Sequence, residues 1–165
     1  MSDVIAPLSD KDRIFTNVYG FQDWGIDAAM KRGDWDNTKK LLEIGQDEII
    51  ERIKASGLRG RGGAGFPTGI KWQTVLDAAS DAKFIVCNAD EGDSGTFADR
   101  MLMEGDPLCL IEGMAIAGHA VGAYHGYIYI RSEYPFAIAT MQEAIELSAL
   151  RIAPFTLEVR VGAGA

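Results

Sequence analysis

The sequence predicts an α/β fold built on an open parallel sheet, and three observations predict it. From residue 83 onward, short apolar runs alternate with segments of helical length in the order strand, helix, strand, helix, strand. Strands alternating with helices of this length form parallel crossover units. Upstream, a glycine-rich loop separates this half from a helical and extended N-terminal segment.

Residues 1–35 read as a partly extended arm. Phe15, Val18, Tyr19, Phe21 and Trp24 recur without a clear period among Asp, Gly and Asn, as in a tail that plugs apolar surface. A short helix is predicted over 39–44, with Gly45 as its stop. A second follows over 47–56, with Ile49, Ile50 and Ile53 on one face. Asp47 and Glu48 occupy its first turn and Lys54 its last, the arrangement the helix dipole favours, and Gly57 ends it. After the glycine loop, 71–76 starts another short helix and 77–82 is a polar turn.

The compact run 83–88 has the length and Phe, Ile and Val content of a buried strand. It leads into an acidic loop, 88–97. Asp106 followed by Pro107 is a strong helix start, an Asp N-cap with Pro at the first helical position. That helix runs to about Gly122, apolar nearly all round, with Gly113, Ala115, Ala117 and Gly118 small enough for close packing on a sheet. Residues 127–131 read as a second strand. Pro135 opens a helix to about Ala149, with Ile138, Met141, Ile145 and Ser148 at spacings of three and four. Residues 156–161 alternate, placing Leu157, Val159 and Val161 on one face of a half-exposed or edge strand. The result is a Rossmann-like open parallel sheet, β-α-β-α-β from residue 83. The expected division is an arm with helices over 1–56 and an α/β domain over 57–165. Such sheets bind ligands at the carboxyl ends of their strands, and the first strand ends at Asn88, Asp90, Glu91 and Asp93.

The totals narrow the function. The 165 residues are 47 % hydrophobic and 24 % charged, ordinary for a globular domain. A net charge of −8 argues against a general nucleic-acid binder, but one local basic loop leaves room for a nucleotide. Cys87 and Cys109 have no CxxC or Cys/His spacing, so neither a disulfide framework nor a zinc site is expected. The N-terminus lacks the basic and apolar regions of a signal peptide. The apolar stretch 107–126 carries Glu112, His119 and His125 and reads as a buried helix plus a turn, with no insertion into a membrane. The cytoplasm is the expected compartment.

In 57–71 six of fifteen residues are glycine, and Arg59, Arg61 and Lys71 supply charge with no acidic residue. Glycine lets backbone N–H groups turn inward on an anion. The loop is therefore either a phosphate cradle or a flexible surface loop. Gly60, Gly62 and Gly65 match the dinucleotide fingerprint literally, but that motif needs a preceding strand. Here the preceding segment reads as helix, which disfavours an ordinary dehydrogenase. Phe66 either stacks on a ring or anchors the loop. The acidic loop either accepts ribose hydroxyls and amides, with Asn88 reading a ring edge, or is a solvated turn. Mg²⁺ has no further ligand cluster there. Cys87 reads as a small buried residue, and His119 and His125 are too poorly spaced for a metal pair. No nucleophile constellation is visible, so chemistry would belong to a cofactor.

These stretches resemble a known family. Residues 57–72 (GLRGRGGAGFPTGIKW), with DRIFTN at 12–17, CNADE at 87–91, FADR at 97–100, LIEGM at 110–114, GYIYIRSEY at 126–134 and VGAGA at 161–165, are similar to the NADH- and FMN-binding flavoprotein subunit, of the 51 kDa type, of NADH:quinone oxidoreductase. The family includes the diaphorase subunits of NAD-dependent formate dehydrogenases and NAD-reducing hydrogenases, and 90–97 looks closer to that branch. The resemblance implies hydride transfer from NADH to FMN and onward electron transfer, or the reverse, with no catalytic side chain. It implies that Gly60, Arg61, Gly62 and Lys71 lie near the flavin and its phosphate, with Gly63, Ala64 and Gly65 in the same wall. Phe66 would stack on NADH, and Asn88, Asp90 and Glu91 would contact the flavin ring and ribityl chain. Asp93 stands where the family often has Glu, and would reach NADH with a shorter side chain. Gln73 and Thr74 stand near where the family often has an aromatic. The resemblance also implies a domain truncated at its C-terminal end, with any iron–sulfur cluster in that further region or in partner subunits. The partners implied are a thioredoxin-like iron–sulfur subunit of the 24 kDa type and a larger complex, peripheral to a membrane. The alternative is a non-catalytic nucleotide-binding or assembly fragment that needs the further region to hold FMN.

Overall fold

A computed structural model describes residues 15–163. The order is α1 (Ile26–Arg32), α2 (Thr38–Glu43), α3 (Gln46–Ser56), α4 (Thr68–Asp77), β1 (Phe84–Ala89), α5 (Ala98–Gly105), α6 (Pro107–Val121), β2 (His125–Arg131), α7 (Pro135–Ile152) and β3 (Thr156–Gly162). The three strands form one parallel sheet in the order β1-β2-β3. Phe84 pairs with His125 and His125 with Thr156, so the strands start level and their carboxyl ends share one edge.

The expected order of strands and helices is present, as a Rossmann-like parallel sheet. Both crossovers pack on one face. There Ala89, Ile128, Ile130 and Leu157 meet Leu108, Ile111, Met114, Ala115, Ala137, Met141 and Ala144 in the main core. Burying each of the larger aliphatic side chains contributes roughly 1.5–3 kcal/mol. Gly118 of α6 lies against the Phe155 ring, where a Cβ would come within 2.6 Å. Helix and sheet close up because that residue has no side chain.

The opposite face carries Phe84, Val86 and Tyr129, all exposed. β1 is therefore half-exposed and not buried as its apolar run suggested, since an apolar run does not reveal on which faces helices will pack. β3 is an edge strand, as its alternation predicted.

Two helices escaped the sequence reading. α1 lies within the arm expected to be extended. It is capped by Gly33 at φ 105° and carries Lys31 and Arg32 in its last turn, but seven residues are too few for a period to show. α5 follows the acidic loop, and the carboxylate that caps it comes from outside the helix. The N-terminal helices are not separate from the sheet. Ala29 and Trp35 join the main core, and Ile49 and Ile50 of α3 form a second cluster with Ala120 of α6, joined by Trp72 and Leu76 of α4.

Asp106 corrects another expectation. It makes no side-chain cap on α6. Its carboxylate is 1 % exposed, accepts the Thr16 N–H at 3.2 Å and lies 3.6 Å from Arg32. The arm thus uses this group as an anchor. Asn17 completes the attachment by donating to the Gly105 carbonyl at 2.6 Å. Residues 12–14 and 164–165 of the family-like stretches lie outside the described residues.

Candidate functional site

The glycine loop joins α3 to α4. Gly57 ends α3 in the left-handed conformation, and Thr68 begins α4 behind Pro67. The loop's base is closed by Gly60 N–H to the Phe66 carbonyl (2.9 Å), Thr68 N–H to the Leu58 carbonyl (2.9 Å) and an antiparallel bridge between Arg59 and Pro67. Arg59 braces it from within, donating to the Gly65 carbonyl at 2.9 Å. Its tip is free of such bonds among the described residues. Gly63 and Gly65 take φ of 112° and 59°, a region that strains other residues. A Cβ built at Gly62, Gly63 or Gly65 would meet nothing within 4 Å. Arg61, Ala64 and Lys71 are exposed, and Phe66 is 51 % exposed. An aromatic that anchored the loop would be buried, so its position suits a ligand-facing role better. Gly69 serves packing instead, since its Cβ would strike Lys54 of α3 at 2.6 Å.

The acidic loop leaves the carboxyl end of β1. Asn88 is the last residue of the open face, paired with Tyr129, and its side-chain oxygen accepts the Asp90 N–H at 3.1 Å. Asp90 is half-buried, and its Oδ1 is buried with no hydrogen-bond partner among the described residues. An orphaned acceptor at this edge fits a ligand that brings a donor. Asp93 is exposed.

Glu91 behaves differently. It is 7 % exposed. Its carboxylate accepts the Asp99 N–H at 2.9 Å and the Arg100 N–H at 3.3 Å, which caps the start of α5. Tyr134 donates its hydroxyl to the same carboxylate at 3.1 Å, and Arg131 donates to the Glu91 carbonyl. The structure thus places Glu91 as a brace whose oxygens are already engaged. Sequence reasoning missed Tyr134, Arg131 and Arg100 as surroundings of this loop. A Tyr three residues after an Arg at a strand end was the available signal, but it carries no spacing rule. No hydrogen bond or ion pair joins the glycine loop to the acidic loop among the described residues.

The local charges are set by burial and pairing. Burial, then the Glu91 hydrogen bond, pushes the Tyr134 phenol up, so it donates at neutral pH. Burial, reinforced by Glu91, raises the Asp99 carboxyl. The hydrogen bond from Arg131 holds the Glu133 carboxyl down at about 2. Burial pushes the Cys87 thiol up to about 11 and the Cys109 thiol up to about 12, so neither is a thiolate nucleophile at neutral pH. Among the described residues, no group of His, Cys, Asp and Glu could hold a metal ion, and no helix is long and apolar enough to cross a membrane. A cavity of about 190 Å³ lies at the opposite, amino edge of the sheet, between Gln46, His119, Tyr124 and Phe155. It contains none of the residues picked out in the sequence as site candidates.

Residues 53–165 match the family model described as the Nuo51 FMN-binding domain. The chain belongs to this family. The match takes in both the glycine loop and the acidic loop. The chain is 55 % identical over 141 residues to an NADH-quinone oxidoreductase subunit of Rhodobacter capsulatus, covering 84 % of this chain and 32 % of that protein. It is 48 % identical over 141 residues to NADH dehydrogenase [ubiquinone] flavoprotein 1, mitochondrial, of Dictyostelium discoideum, covering 84 % and 29 % respectively. Among solved structures, a chain of the NAD⁺-reducing [NiFe]-hydrogenase in the air-oxidized state superposes with a TM-score of 0.70 at 39 % identity, over 78 % of this chain and 23 % of that one. The chain therefore spans about a third of the length of the curated relatives it matches.

The residues present fit the flavin for which the family is named. The tip of the glycine loop leaves N–H groups and open space beside Arg61 and Lys71, and Asp90 offers an unpaired acceptor at the strand edge.

Proposed function

We propose that this chain forms the FMN- and NAD(H)-binding part of an NADH-oxidising flavoprotein. The observation that carries the reading is the match of 53–165 to the FMN-binding domain family, with both candidate loops inside it. Gly62, Gly63 and Gly65 would bring backbone N–H groups to the flavin phosphate, Gly60 would set the base of that wall through its bond to Phe66, and Arg61 and Lys71 would neutralise the phosphate. Asn88 and Asp90 would orient the ring and ribityl chain by hydrogen bonds. Phe66 would stack on the nicotinamide or adenine side of NADH, and Asp93 would contact the dinucleotide. Bound FMN would supply the hydride acceptor for reduced nicotinamide. The side chains move no proton in this reading; they align two rings and exclude competing poses. The implied partner is a thioredoxin-like iron–sulfur subunit of the 24 kDa type within a larger assembly, itself outside the bilayer and in the cytoplasm.

Titration of the protein with FMN, followed by flavin fluorescence, tests the reading. Saturable quenching that NADH then perturbs is expected. Unquenched flavin at every protein concentration would contradict it.

One observation favours a second reading. Parallel sheets are ordinarily covered on both faces, yet here Phe84, Val86 and Tyr129 are exposed. That face suits completion by further polypeptide, without which the domain would be an assembly module with little flavin affinity. NADH binding without flavin quenching would support this second reading.

A further inference from the structure

A polar cluster ties the carboxyl ends of β1 and β2 together. Glu91, just past β1, is held from two sides. Its carboxylate takes the Asp99 and Arg100 N–H groups of α5. Tyr134, which precedes α7, donates to it at 3.1 Å and approaches the Thr96 carbonyl at 3.4 Å. Arg131, the last residue of β2, donates to the Glu91 backbone carbonyl and pairs with Glu133 at 2.8 Å. The Tyr134 ring carries two guanidinium groups, Arg131 at 5.4 Å and Arg100 at 5.7 Å from its centroid.

We infer that Tyr134 and Arg131 are positioning residues for the nucleotide site, holding the 90–97 loop through Glu91 so that Asn88, Asp90 and Asp93 meet the ligand in one arrangement. The inference rests on the FMN and NAD(H) reading above. Each carboxylate oxygen of Glu91 and its carbonyl already accept a hydrogen bond from the protein, and Oε2 accepts two, so the residue is fixed from several sides. Its neighbour Asp90 has a buried oxygen with no partner among the described residues, so the fixed residue serves the open one. The β1–β2 ladder ends at the pair Ala89 and Ile130, and the latch continues the tie from the end of β2 into the loop beyond it. Without the Tyr134 hydroxyl, Glu91 Oε2 keeps only the longer bond from Arg100.

The test compares wild type, Tyr134→Phe, Arg131→Lys and the surface control Arg52→Gln. FMN affinity is read by fluorescence, the visible absorption band of bound flavin reports its surroundings, and thermal melting reports the fold. Tyr134→Phe keeps the ring beneath both guanidiniums, and Arg131→Lys keeps the charge. Each is expected to weaken FMN binding about five-fold or more, the effect of losing one net hydrogen bond, and to alter the flavin band. Arg52→Gln is expected to match wild type. If Tyr134→Phe does not fold, Arg131→Lys decides. Folded variants that bind FMN with the wild-type constant and spectrum overturn the inference while leaving the flavin reading intact. Wild-type protein that binds no FMN overturns the flavin reading, and the inference with it.

Discussion

Phe66 and Lys71 project from the glycine loop and its following helix without entering the core. Replacing both with alanine should therefore leave stability within about 0.5 kcal/mol. Nucleotide binding should weaken about ten-fold or more, from a lost stacking partner and a lost charge. Calorimetric titration and thermal melting of the same sample check the two halves. A loss of folding with no ligand effect would show that the loop is structural. Asp34 gives a second test. Burial, then Asp106 and Glu112, raises its carboxyl from 3.8 to about 6. The folded state binds the proton more tightly than the unfolded one between pH 4 and 6, so this stabilising contribution is complete below about 4 and is lost as pH rises through 6. Asp34→Asn should flatten that part of the stability profile and raise stability at neutral pH by about 1 kcal/mol after solvent screening. Denaturant melts across pH measure both. Neither the half-burial of Asp34 nor the burial of Glu91 was legible in the sequence, because burial of a charge depends on partners distant along the chain. The open glycine loop with exposed Arg61 and Lys71 was legible, because it depends on local backbone freedom and formal charge.

α6 offers a paired test of packing at the scale of one element. Gly118 and Gly113 lie five residues apart in the same helix. A Cβ at 118 would meet Phe155 at 2.6 Å, whereas at 113 it meets nothing within 4 Å. Gly118→Ala should destabilise by about 1–3 kcal/mol through overpacking. Gly113→Ala should stabilise by about 0.5–1 kcal/mol through helix propensity. Equal effects at the two positions, seen in chemical denaturation, would contradict the packing described. α6, α7, β2 and β3 were readable because each is long or periodic enough to declare itself. α1 and α5 were not: one is seven residues long, and the other is capped by a carboxylate seven residues before its first residue. The apolar run of β1 announced a strand but not its exposed face, since crossover placement is a property of the whole sheet.

For the whole molecule, the amino and carboxyl edges of the sheet carry different features. The amino edge has the cavity beside His119 and Phe155. The carboxyl edge has the acidic loop, its latch and an unpaired Asp90 oxygen. The proposed ligand site combines the carboxyl edge with the glycine loop at the start of α4. Hydrogen exchange measured with and without FMN tests this most directly. Slowed exchange confined to 57–71 and 88–97 is the predicted result. Protection at 118–124 and 153–155 instead, or no protection anywhere in the presence of saturating FMN, would contradict it.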